Sequence, residues 1–109
     1  MLESGIKFGE VRNLASQTEY SGDRVQFNNI FNTSHGGVSV VAFSAGQRLD
    51  THTAPAELMV YVLEGEIEFT ISDNPHTLVV GQFLLVGEGV RHSVSATSDA
   101  KMMLVKVKA

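Results

Sequence analysis

Between Val38 and Val107 the chain is cut into short apolar, β-branched runs separated by glycine, proline and Asx residues, and after Gly36 no segment carries a helical period. Val38-Ser-Val-Val-Ala-Phe43 and Leu58-Met-Val-Tyr-Val-Leu63 are the most apolar runs. Ile67, Phe69 and Ile71 alternate with Glu66, Glu68 and Thr70, the period of two that marks a strand with one wet face. Segments 77–80, 83–86, 92–96 and 102–107 continue the series, with breakers at Gly46, Pro55, Gly65, Asp73-Asn74-Pro75, Gly81 and Gly87-Glu88-Gly89. Strands this short and this evenly spaced point to an all-β sandwich or barrel. Segments 67–72 and 76–80 read as one hairpin turning at Asp73-Asn74-Pro75. The start of the chain is less regular, with a further strand over 25–31 and one helical turn over 11–17. The expected layout is one domain: an N-terminal strand or irregular segment, 1–35, packing on a barrel built from 36–109.

Composition removes several function classes. The net charge is −4 and no dense Lys/Arg cluster exists, which argues against a nucleic-acid partner. Lys101, Lys106 and Lys108 read as the solvated face of the last strand. Cysteine is absent, so disulfides, thiolate catalysis and cysteine-based zinc sites are excluded. Met1 to Glu10 lacks a basic-then-apolar leader, and the longest apolar run, 58–63, is too short to span a bilayer. A cytoplasmic protein without a membrane partner is expected. Because 58–63 is apolar on both parities, it needs cover on both faces: the barrel interior on one side, and the N-terminal segment, a second sheet or a partner subunit on the other. A homodimer is the expected assembly.

Two glycine-led stretches carry the candidate chemistry. The first is Gly46-Gln-Arg-Leu-Asp-Thr-His52-Thr-Ala54-Pro-Ala-Glu57-Leu58, followed by Met-Val-Tyr-Val-Leu-Glu-Gly65-Glu66; the second is Gly81-Gln-Phe-Leu-Leu-Val-Gly87-Glu-Gly89-Val-Arg-His92. In this order and at this separation they resemble the two motifs of the cupin superfamily, over residues 38–107. The resemblance implies a double-stranded β-helix, or jelly-roll antiparallel barrel, in which Gly46, Gly65 and Gly81 make tight turns. It also implies a metal site assembled from two His, a carboxylate and a last His. His52 and His92 match the first and last of these; Ala54 stands at the second His, Leu58 at the carboxylate, and Gly87 where the family usually has Pro.

Glu57 is the nearest acid to the carboxylate position. In an extended chain from His52, positions 54, 56 and 58 share its face and Glu57 points away. Pro55 interrupts the alternation, and a bulge or turn there would aim Glu57 inward. The candidate metal set is therefore His52, His92 and Glu57, for Fe, Mn, Zn or Ni. Without Glu57, two imidazoles and water would hold an ion weakly.

Three functions stay open on this reading. The first is a binding module for a small polar or anionic molecule, with His52 and His92 as polar groups and Leu58, Val60 and Val62 as the apolar wall. The second is a metal-dependent enzyme similar to cupin dioxygenases, isomerases or decarboxylases, using His52, His92 and Glu57. The third is an interaction protein with a vestigial cavity. No nucleophile–base constellation is evident, so no catalytic residue is assigned. His35 and His76 fall in loop and turn surroundings and are expected at the surface.

Overall fold

A computed structural model describes residues 2–109. After a 3-10 turn at Ala15–Gln17 the chain forms β1 (Gln26–Thr33), β2 (Gly36–Phe43), β3 (Arg48–His52), β4 (Glu57–Glu64), β5 (Glu66–Ile71), β6 (Asn74–Val79), β7 (Phe83–Val86), β8 (His92–Ala96) and β9 (Ala100–Val107). Every pairing is antiparallel. Five strands form one sheet in the order β1-β2-β9-β4-β7, and four form the other in the order β3-β8-β5-β6. Only the β1–β2 and β5–β6 connections stay within a sheet; every other connection changes sheet, so the chain winds around a single interior.

The alternation read from the sequence is the alternation of burial. Leu58, Val60 and Val62 of β4, Ile67 and Phe69 of β5, and Val94 and Ala96 of β8 all enter one core, with Phe43 and Met102 from the facing strands. Their partners in sequence point outward, as a period of two requires. Among the described residues no helix is long and apolar enough to cross a membrane.

The turns follow local chemistry. Gly65, at φ 71°, joins β4 to β5, and a Cβ there would run into the Asp99 carbonyl oxygen, so both conformation and space demand glycine. Gly46 and Gly81 also take positive φ. The hairpin of β5 and β6 turns earlier than expected. Ile71 pairs with Asn74, and Ser72 and Asp73 sit at φ 46° and 71°, the two left-handed residues of a tight hairpin. Pro75 thus lies inside β6, at the sheet edge, where a residue without an N–H is tolerated.

The N-terminal segment covers part of the outer face of the five-stranded sheet. A bulge between Val62 and Glu64 brings Glu64 into register with Lys101, so both project to that face. The Lys101 ammonium donates to the Ala15 carbonyl at 2.6 Å and sits 5.0 Å from the centre of the Tyr20 ring. The Tyr20 hydroxyl donates to Glu64 at 2.7 Å. Lys101 is therefore buried, at 8% exposure, and not the solvated residue its sequence context suggested. Farther along the same face, Phe83 and Leu85 of β7 remain exposed.

Candidate functional site

His52 ends β3 and His92 opens β8, and the two residues pair directly across the ladder. A bulge makes this possible. Leu49 pairs with Val94 and His52 with His92, so Asp50 and Thr51 together oppose Ser93. The extra residue returns His52 to the face that Leu49 occupies, which strict alternation would have denied it. The imidazole rings meet edge to face with centroids 4.3 Å apart, and the Phe69 ring stacks on His92 at 5.6 Å and 9°. Phe69 is 1% exposed and His92 4%, whereas His52 lies exposed at the mouth.

Backbone carbonyls fix the tautomers. Nδ1 of His92 lies 3.0 Å from the Val90 carbonyl, and Nδ1 of His52 lies 2.7 Å from the Asp50 carbonyl. A carbonyl only accepts, so each Nδ1 carries its proton and donates, and in the neutral ring Nε2 is left as an acceptor or ligand atom. Burial holds the His92 pKa below its ordinary value of 6.5, the neighbouring His52 acts in the same direction, and the Val90 carbonyl opposes them. His92 is accordingly neutral at neutral pH.

Both imidazoles line a cavity of about 570 Å³ between the sheets. Its walls are mainly apolar: Phe27 of β1, Leu49, Leu58, Phe69, Val94 and Leu104, among others. Thr51 and Thr53 add hydroxyls beside His52, and Lys106 stands on the β9 wall.

This wall corrects two expectations. Leu58 reaches the cavity, but Val60 and Val62 do not; they are completely buried in the core beyond it. Glu57 is also left out. It keeps the opposite parity to Leu58, and its carboxylate accepts the Glu88 N–H at 2.8 Å. Pro55 breaks the chain between β3 and β4 without re-aiming Glu57, because β4 has regained its pleat by that residue. Among the described residues no group of three His, Asp or Glu side chains comes together to hold a metal. Two imidazoles without a carboxylate do not meet the three-ligand requirement of a resident zinc or non-haem iron. His35 and His76 lie exposed, outside the cavity lining.

Sequence reading missed Phe27, Leu49, Phe69 and Lys106 as wall residues. For Lys106 the signal was present: it is two and four residues from Leu104 and Met102, which share its parity and line the same cavity.

Comparison with known proteins agrees with this architecture. The cupin domain family matches residues 39–108. A conserved protein of unknown function from Streptococcus pyogenes superposes with a TM-score of 0.89 at 25% identity, covering 97% of this chain and 93% of that one. A cupin superfamily protein from Desulfitobacterium hafniense DCB-2 gives a TM-score of 0.89 at 19% identity, covering 97% of both chains. Protein SchB of Streptomyces halstedii is 38% identical over 71 residues, 64% of this chain and 51% of that protein, so the chain spans about half the length of this curated relative. The two facing antiparallel sheets and the likeness to a solved cupin superfamily protein give the double-stranded β-helix fold, and the family match over residues 39–108 establishes that the chain belongs to the cupin family.

Proposed function

We propose that the protein is a small-molecule-binding cupin whose cavity takes an apolar body and hydrogen-bonds it through His52 and His92. The observation that carries this reading is the pairing of two tautomer-fixed imidazoles in the lining of a mainly apolar cavity. Its volume of about 570 Å³ falls in the roughly 300–1,000 Å³ range of small-molecule sites. A neutral His92 offers Nε2 as an acceptor, which suits a ligand hydroxyl or amide N–H. The Phe69 ring holds the His92 plane from below, so the acceptor direction is set before a ligand arrives.

A divalent ion would bind here only through the two Nε2 atoms and water, weakly and in exchange with solvent. The metal-dependent enzyme reading lacks its third ligand, since Glu57 is committed to Glu88 N–H. The deciding experiment is a thermal-shift screen of small apolar alcohols, phenols and acids against the parent chain, His52→Ala and His92→Ala. Ligands that raise the melting temperature of the parent and of neither variant support the proposal. A screen whose hits ignore both substitutions would refute it.

A further inference from the structure

We propose that the cavity selects an amphipathic anion, and that Lys106 is the residue that reads the charge. This rests on the small-molecule reading above and adds the ligand's class to it. Met102, Leu104 and Lys106 line one wall of the cavity from successive same-face positions of β9. A charged side chain on an inward face is a familiar guard against edge-to-edge pairing. That explanation fails here, because β9 lies between β2 and β4 in the middle of its sheet. Among the described residues nothing neutralises the charge. In register with Lys106 are Gly37 on β2, which has no side chain, and Leu58 on β4. Among the described residues no carboxylate lies within ion-pair distance of Lys106, whereas Asp50, the acid of the cavity lining, is held by Arg48 at 3.0 Å.

The rest of the lining defines what accompanies the anion. Lys106 is the one Lys or Arg among the described lining residues. Phe27, 55% exposed, continues the apolar wall out to the mouth. A ligand that satisfies all of these has an apolar body, a hydrogen-bond donor for the imidazoles and a carboxylate, sulfonate or similar anion for the ammonium. Lys106 is itself exposed, so water screens the pair and its effect on affinity is modest, about fivefold.

Two probes that share one aromatic frame test this: anilinonaphthalene sulfonate, which carries an anion, and phenylnaphthylamine, which does not. Fluorescence titrations compare the parent chain with Lys106→Gln, Lys108→Gln and Ala54→Trp. Lys108→Gln removes the same charge from a residue outside the cavity lining, and Ala54→Trp fills the cavity mouth. The expected result is that Lys106→Gln weakens the sulfonate about fivefold and leaves the amine unchanged, that Lys108→Gln changes neither, and that Ala54→Trp weakens both. If Ala54→Trp blocks both probes while Lys106→Gln leaves their affinity ratio unmoved, or Lys108→Gln moves it equally, the role of Lys106 is overturned and the cavity stands. If neither probe binds the parent, or both ignore Ala54→Trp, the small-molecule reading falls and this inference with it. Should Ala54→Trp lose its folded circular dichroism, Thr53→Trp, at an exposed lining residue, takes its place.

Discussion

His52 and His92 oppose each other across β3 and β8 with their rings 4.3 Å apart, yet they occupy different electrostatic worlds. His52 is open to solvent; His92 is buried, with Phe69 against its face. Protonating His92 therefore places a charge in an apolar setting next to a second imidazole.

Stability should fall on acidification for this reason. The folded-state pKa of His92 is lowered, chiefly by burial, while the unfolded chain titrates at the ordinary 6.5. Below that value the unfolded state binds the extra proton, so the stability carried by neutral His92 is fully present above pH 6.5 and is lost as pH drops towards the folded pKa. Melting temperatures measured across this window should decline with acid in the parent chain and decline less in His92→Gln. Equal slopes in the two proteins would show that other groups govern the acid response.

Phe69 ties the core to the site. Its ring is 1% exposed and stacks on His92 at 5.6 Å. Phe69→Ala should cost about 3–5 kcal/mol in urea unfolding, the usual cost of deleting a buried phenyl. Phe69→Leu should cost less in stability and still weaken ligand binding, because the flat support beneath His92 is gone. A Phe69→Leu protein with unaltered ligand affinity would detach the stacking from the site.

Much of the fold was legible because it rests on period and punctuation. The alternation of Ile67, Phe69 and Ile71 and the unbroken apolarity of 58–63 both specify strands, and each appears as one. β3 was not legible: Arg48-Leu-Asp-Thr-His52 is polar, mostly exposed and too short to show a period. Its bulge was less legible still, since nothing in Asp50-Thr51 announces that two residues will face Ser93 alone. Glu57 was misplaced: parity alone points it outward and the break at Pro55 suggested an inward turn, but the regular pleat of β4 keeps it outward. Nor could the depth of the cavity be read. Period-two reasoning places Leu58, Val60 and Val62 on one face but does not say that the void ends after Leu58. Lys101 was misread because its partners, Ala15 and Tyr20, come from the far end of the chain.

Lys101 anchors the N-terminal segment to the barrel. Its ammonium holds the Ala15 carbonyl and lies 3.9 Å from Glu64, which in turn receives the Tyr20 hydroxyl. Lys101→Met keeps the aliphatic stem but strands these acceptors. It should cost about 1.5–3 kcal/mol, the range for losing a hydrogen bond made by a charged group. Limited proteolysis should then cut near residues 15–20 well before the barrel. Cleavage at the parent's rate would place the anchor elsewhere.

The missing ligand position is itself testable. Ala54 stands where the family motif places its second His, and it lines the cavity beside His52 and His92. Its carbonyl accepts from Gly89 N–H at 3.0 Å, a backbone contact that a new side chain leaves in place. Ala54→His adds a third imidazole to a pair whose Nδ1 atoms already donate to carbonyls, the arrangement that orients metal-bound imidazoles. Three protein ligands suffice for zinc with an open position; two do not. After zinc repletion and dialysis, elemental analysis should find about one ion per chain in Ala54→His and well below that in the parent. Adding His92→Ala to Ala54→His should return the content to the parent's level. A parent chain that already keeps stoichiometric zinc through dialysis would mean that water and two imidazoles hold the ion better than ligand number allows. An Ala54→His chain that stays empty would mean that the loop between β3 and β4 aims residue 54 away from the His52–His92 pair.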